Sequence, residues 1–432
     1  MRNLFKKYKN SLLISLILLA GLLIRVHYVD KVIVGDLLNY GEWGERLATS
    51  GPKNFYFSEG WYYSVPVYPP LSQWTFAGMY WLNQNRHYLA ILHNIVKFPP
   101  SDFIVYFYQY GYILLLKLPG ILADLGLATV IYDLILKITK NKKKAFLGLL
   151  FFIINPIAIF ISGAWGQTDS VVALFGTLSF LCLINRKLLF SMPLLFLSIY
   201  FKPSWAVLAP FYLFILYEQK PRLKELFLSS LLTLILFVVT TLPFSDGNVF
   251  NYGWKLFRER YPLPIGITGK ASISAFNFQT IFFRLDIDYS DLKLLGITSA
   301  KWGTIIYIIL NFIAFKNFRR QKDKLVGMLS GIFIIGMGSF LFMATMLERY
   351  FFPAFAPLTI LMFSRPQILI NGIIVNVILA LNILYSFYRR GSDEIARPFT
   401  NNNFLVMKIL SVIQVAIFAA TTKFLLKSGS GK

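Results

Sequence analysis

Long apolar runs punctuated by short polar stretches dominate this chain, at about 11–29, 111–136, 145–163, 168–185, 188–201, 203–217, 226–243, 302–315, 325–346, 350–364, 368–388 and 404–426. Several reach the roughly 20 residues that a helix needs to cross a hydrocarbon core. Short segments of alternating apolar and polar residues, the mark of a membrane β-barrel, do not recur. The pattern predicts an all-α polytopic membrane protein with about 12 transmembrane helices. Lys202-Pro203 divides the stretch 188–217, because proline lacks a donor and disfavours helix at the residue before it. Two short spans are expected there rather than one kinked span.

Two segments break the pattern, 30–110 and 244–300. Each is too long for a simple connector. The first carries Trp43, Trp61, Tyr62, Tyr63, Tyr68, Trp74, Tyr80 and Trp81. Amphipathic aromatic side chains concentrate at membrane–water boundaries, so short interfacial helices are expected in these segments.

Composition agrees with the pattern. Of 432 residues, 56% are hydrophobic and only 15% charged, and the mean hydropathy is +0.60. So much apolar surface excludes a soluble globule. The net charge of +23 collects in short clusters between apolar runs, at Lys137–Lys144, Arg186-Lys187, Lys220–Lys224 and Lys316–Lys324. With the N-terminus inside, every one of these clusters is cytoplasmic, and both long segments lie outside. Tyr388-Arg389-Arg390 falls outside in this scheme, in a loop made mixed by Asp393, Glu394 and Arg397. Membrane lipids with anionic headgroups, rather than nucleic acid, are the expected partners of the clusters. Cys182 is the sole cysteine and offers no disulfide, zinc or redox spacing. The basic start, Met1–Asn10, reads as the flank of a retained first span. Residues 1–427 are expected to form one integral membrane domain, and Ser428–Lys432 reads as a linker remnant.

Candidate chemistry gathers at the ends of the runs. Asp36 follows the first run, and Asn39, Tyr40 and Trp43 stand at i+3, i+4 and i+7 from it, on one helix face. A carboxylate there can act as general base toward a sugar hydroxyl; an ordinary helix N-cap is the alternative role. Asn155-Pro156 leads into Trp165-Gly166-Gln167-Thr168-Asp169-Ser170. Gln167 and Asp169 can hydrogen-bond sugar hydroxyls, and Trp165 can stack on a sugar ring. Thr168 or Asp169 can also cap the next helix, but capping does not account for Trp-Gly-Gln. Tyr68-Pro69-Pro70-Leu71 is a rigid extended segment. Lys202 and Glu348-Arg349-Tyr350 fall at the expected outer boundary. A cation there either binds a lipid-linked phosphate, arginine bidentately, or snorkels to the interface.

Asp124 lies near the middle of the second apolar run, where a buried carboxylate is costly. Lys117, seven residues earlier on the same face, is expected to neutralise it. Ser272–Phe278 either closes over a substrate or is an ordinary loop. Asp286-Ile287-Asp288 is a weak cation candidate. His27, His87 and His93 are scattered, and there is no Walker-type loop, metal-ligand spacing or nucleophile elbow. No metal ligand or required cofactor is assigned.

Taken together, Asp36, Tyr68-Pro69-Pro70, Asn155-Pro156 with Trp165-Gly166-Gln167-Thr168-Asp169, Lys202-Pro203 and Glu348-Arg349-Tyr350 resemble the GT-C superfamily of lipid-phosphosugar-dependent glycosyltransferases. The resemblance covers most of the chain and points to the branch of the dolichyl-phosphate-glucose glucosyltransferases and their bacterial relatives. It implies a GT-C-like fold and an inverting transfer of a hexose from a polyprenyl-phosphate donor. The acceptor would be a lipid-linked glycan, a polysaccharide or a protein. By resemblance, Asp36 is the general base. Lys202 and Arg349 are the candidates for the donor phosphate, and Asn39, Tyr40, Trp43, Tyr68, Trp165, Gln167, Asp169 and Glu348 are expected to contribute to substrate binding. The family's paired first-loop acids are reduced here to Asp36, six residues from Asp30, which weakens a divalent-metal site. The expected location is the plasma membrane of a prokaryote or the endoplasmic reticulum of a eukaryote, with an extracytoplasmic site. A secondary transporter or a lipid flippase of an envelope pathway is the competing expectation, since broken helices also mark transporters.

Overall fold

Helices account for nearly all the regular structure of the computed structural model, which describes residues 2–260, 269–389 and 393–428. Arg390 and the tail beyond Ser428 lie outside the described residues. The first half comprises α1 (Arg2–Val26), α2 (Gly35–Ser50), α3 (Pro70–Gln84), α4 (His87–Val96), α5 (Ser101–Thr139), α6 (Lys142–Ile153), α7 (Pro156–Ala158), α8 (Asp169–Ile184) and α9 (Leu188–Phe201). The second half comprises α10 (Ala209–Gln219), α11 (Leu223–Thr241), α12 (Val249–Arg260), α13 (Phe278–Phe282), α14 (Ser299–Arg320), α15 (Lys324–Phe342), α16 (Phe352–Ser364), α17 (Leu369–Tyr388) and α18 (Asp393–Ser428). A π-helical stretch, Ile159–Trp165, follows α7, and a 3-10 turn, Pro203–Leu208, follows α9. One small antiparallel hairpin pairs Lys293 with Thr298.

Every apolar run of the sequence falls on a helix. Among the described residues, 6 helical stretches are long and apolar enough to cross a membrane: 101–139, 142–165, 223–244, 324–342, 366–388 and 394–427. Helices α8, α9 and α16 and the part of α1 from Asn10 are apolar but shorter. This is an all-α protein of membrane type. The chain does break at Lys202-Pro203, where Lys202 adopts extended backbone between α9 and the 3-10 turn.

Helix α15 is enclosed along its length, chiefly between α14 and α16. Small residues let neighbouring helices close in, as in other helix–helix packings of membrane proteins. A Cβ at Gly331 of α15 would stand 2.1 Å from the ring of Phe211 on α10, and one at Gly176 of α8 would stand 2.1 Å from Trp205.

In the first long segment α2 and α3 build an aromatic core of their own against α5, while Tyr62, Tyr63 and Trp81 stay exposed. Tyr40 stacks on Phe76 with ring centroids 4.6 Å apart, and Trp43, Phe55, Tyr56 and Phe244 complete the cluster. Only α4 among these helices has no buried residue, exposing Tyr88, Ile91, Ile95 and Val96 as an interfacial helix would. The segment is also shorter than expected, because α5 begins at Ser101, ten residues before its continuous apolar run.

Candidate functional site

The site is assembled where α2, the turn after the π-helix, the α9 break and the start of α16 converge. Asp36 is not a helix N-cap. It is the second residue of α2, and the cap position is Val34, which makes no side-chain cap. Asp36 instead turns one carboxylate oxygen to the Trp165 turn. Its Oδ2 accepts the Trp165 indole N–H at 3.1 Å and the Gln167 amide N–H at 2.6 Å. Gln167 Oε1 in turn accepts the Tyr40 hydroxyl at 3.0 Å, which fixes the orientation of the amide. Burial pushes the Tyr40 phenol well up, with Tyr68 and Asp36 adding to the shift, so it stays protonated and donates. Oδ1 of Asp36 accepts no side-chain or backbone hydrogen bond among the described residues, and 36% of the side chain is exposed.

Arg349 lies over the Trp165 ring, 5.2 Å from its centroid, in a cation–π position. One guanidinium nitrogen donates to Glu348 at 2.7 Å and another stands 3.9 Å from Asp36 Oδ2. The third, Nε, is buried without a partner. Glu348 is itself buttressed by the hydroxyls of Ser274 and, at 2.8 Å, Ser386. Burial pushes the Glu348 carboxyl up, but Arg349 and the two serines outweigh it and hold the carboxyl below its usual range. A depressed carboxyl stabilises the fold above its unfolded value of about 4.3, and that stability is lost as pH falls through the lower folded value. Glu348→Gln is therefore expected to lower stability at neutral pH and to flatten the acid limb of a pH–stability curve followed by thermal unfolding.

Lys202 donates to Asp169 Oδ2 at 2.8 Å and sits 5.4 Å from the centroid of the Tyr68 ring. Burial opposes its charge, yet Asp169 outweighs burial and holds the ammonium above its ordinary value. Asp169 opens α8, where the helix dipole also favours a carboxylate. Tyr68 is held through its backbone carbonyl, which accepts from Tyr56 at 2.7 Å and from Gln73 at 3.1 Å. The following Pro70 starts α3 at its first turn, as proline prefers. Trp43 lies behind this cluster, its indole N–H on the Ser64 carbonyl at 2.7 Å and its ring against Tyr68. Asn39 is half-buried and makes no side-chain hydrogen bond among the described residues. Ten of the eleven sequence-predicted residues thus meet or line one cluster, and Asn39 is not joined to it.

Two buried cations hold this arrangement, and Lys117 does not act as the sequence suggested. Lys117 does not neutralise Asp124. Seven residues is about 10.5 Å along a helix axis, and closer partners arrive from elsewhere. Lys117 Nζ donates to the carbonyls of Tyr28, Val29, Val32 and Ala164 at 2.8–3.3 Å. It thereby clamps the connection leading to Asp36 and the end of the π-helix onto α5. Asp124 pairs instead with Arg25 of α1 at 2.9 Å. The same carboxylate accepts Ser162 at 2.6 Å and Ser170 at 2.5 Å, one residue on each side of the Trp165 turn. Arg25, which sequence reading passed over, also donates to the carbonyls of Gly21 and Ile153.

Glycine permits the close approach. Gly166 adopts φ +78, which an L side chain rarely takes, and ends the π-helix. A Cβ at Gly120 of α5 would stand 2.7 Å from the Gln167 carbonyl. Gly120→Ala must push the turn off α5, at about 1–3 kcal/mol. A lowered unfolding temperature is the expected readout.

Other candidates resolve as structural. Asn155 caps α7 through the Ile157 N–H and donates to Asn376 of α17 at 2.9 Å. Ser272–Phe278 is a packed segment, tied by Asn382 to the Ser274 carbonyl and the Phe276 N–H. Asp288 pairs with Arg284 at 2.9 Å and Asp286 with Arg389 at 3.5 Å, so both carboxylates proposed for a cation already face arginines. Among the described residues no three His, Cys, Asp or Glu side chains gather as metal ligands would.

Comparison with known protein families finds no matching family model, and no curated protein matches the sequence significantly.

Proposed function

We propose that this protein is an inverting glycosyltransferase that moves a hexose from a polyprenyl-phosphate donor to a glycan or protein acceptor. The observation that carries the reading is the Asp36 carboxylate. Oδ2 is pinned by Trp165 and Gln167, Oδ1 has no protein partner among the described residues, and a buried arginine stands 3.9 Å away. A carboxylate oriented by two donors on one oxygen and open on the other is suited to general-base work. In the proposed step, an acceptor hydroxyl oxygen bonds to the anomeric carbon as the bond from that carbon to the phosphate oxygen breaks. The hydroxyl proton passes to Asp36, and polyprenyl phosphate leaves with the bonding electron pair. Arg349 offers its unpartnered Nε to the leaving phosphate, where positive charge stabilises the developing anion. Lys202 adds to the positive field, while Tyr68, Trp165, Gln167 and Asp169 frame the sugar.

This reading extends to the remaining sequence expectations, including about 12 spans and an extracytoplasmic site. Its experiment is a transfer assay with purified protein and a panel of polyprenyl-phosphate sugars, run beside nucleotide sugars. Transfer from a lipid-phosphate donor alone is the expected result. No transfer from any donor, together with gradient-driven uptake in proteoliposomes, would replace it with the transporter reading, which the helix breaks at Ile159–Trp165 and Lys202-Pro203 favour.

A further inference from the structure

A cavity of about 550 Å³ lies between α14 and α18, far along the chain from the Asp36 cluster. Its shape follows from how these helices end. Both terminate at the same place, where the Gln321 amide donates to the Leu425 carbonyl at 3.1 Å. Phe342 of α15 and Phe418 of α18, with ring centroids 6.0 Å apart, floor the groove. From Ile306 to Arg320 it follows α14 for about 21 Å. Its polar character is confined to one end. There Arg320, Lys423 and Lys427 line it without an acidic residue among the lining. Arg320 and Lys423 are exposed and form no ion pair among the described residues. Thr422 lines the same end, and its hydroxyl is buried without a partner.

A groove apolar along most of its length and cationic at one end complements an amphiphile with an anionic head. The flanking helix α18 and the neighbouring stretch 324–342 are both apolar and long enough to cross a membrane, so the occupant at hand is a lipid. We propose that this groove binds one anionic phospholipid. Its phosphate is held by Arg320 and Lys423 with the Thr422 hydroxyl donating, and an acyl chain lies over Leu310, Phe342 and Phe418. Cationic side chains near a membrane surface attract anionic headgroups, and the apolar floor supplies the contact that a free phosphate cannot use. The proposal does not depend on the glycosyl-transfer reading.

The test is native mass spectrometry with thermal unfolding of the full-length protein in detergent, with phosphatidylglycerol, phosphatidylcholine of the same acyl chains, or inorganic phosphate added. Phosphatidylglycerol is expected to be retained as one bound lipid and to raise the unfolding temperature. The Arg320→Gln/Lys423→Gln double variant should lose roughly tenfold or more of that affinity. Ala419→Trp, which fills the groove and leaves the cations, should lose it too. Equal retention of phosphatidylcholine, an undiminished affinity in either variant, or the same shift with inorganic phosphate alone would overturn the proposal.

Discussion

Asp36→Asn is expected to lower the rate of the proposed sugar transfer by about 10²–10⁴-fold, the range that a positioned general base contributes. That range corresponds to about 3–5 kcal/mol in the barrier. The amide keeps an oxygen for the Trp165 indole and the Gln167 amide, both of which now donate to Asp36 Oδ2. The hydrogen-bonded cluster should therefore stay assembled while the proton acceptor is lost. The effect belongs in kcat, with donor KM changed little, and the unfolding temperature should stay near that of the wild type. Steady-state kinetics with saturating donor checks this. A variant with wild-type kcat would remove Asp36 as the base.

The second large effect is on stability. Asp124→Leu is expected to destabilise the protein by about 3–5 kcal/mol, because it leaves Arg25 as an uncompensated buried charge. Both side chains are fully buried, and Asp124 is also the acceptor for Ser162 and Ser170. The Arg25→Leu/Asp124→Leu pair should recover much of the loss, since a buried ion pair replaced by packed apolar groups is often tolerated. Unfolding in detergent, followed for both single variants and the double variant, gives the coupling directly. Additive losses would mean that the two side chains do not act as a unit. Because Ser162 and Ser170 bracket the Trp165 turn, the single variant should also lose the proposed sugar transfer beyond what its folded fraction explains.

How far the sequence could be read follows from where each signal lies. The helices were legible because apolar length is a local property, and the Lys202-Pro203 break because proline acts on its own neighbours. Asp36, Trp165, Gln167, Asp169, Lys202 and Arg349 stood out because polar and charged side chains at the ends of apolar runs need a reason to be there. Their mutual contacts span 33 to 313 positions, and nothing in local pattern encodes such distances. Arg25 looked like one more cation at the end of a span, and the carbonyls that receive Lys117 have no residue type to betray them. Ser274 and Ser386, which buttress Glu348, are serines with no distinguishing neighbours. The aromatic segment 30–110 could be read only in part, because tryptophan and tyrosine suit an interface and a packed core alike; Tyr40 and Trp43 pack into the core while Tyr62, Tyr63 and Trp81 stay exposed.

The most direct measurement combines product and stereochemistry. Purified protein is incubated with a polyprenyl-phosphate sugar labelled at the anomeric carbon and with an acceptor, and the products are read by nuclear magnetic resonance. Direct displacement with Asp36 as base predicts free polyprenyl phosphate and a new glycoside in equal amounts, with the anomeric configuration inverted. An unchanged donor, or a glycoside that retains the donor configuration, would contradict it.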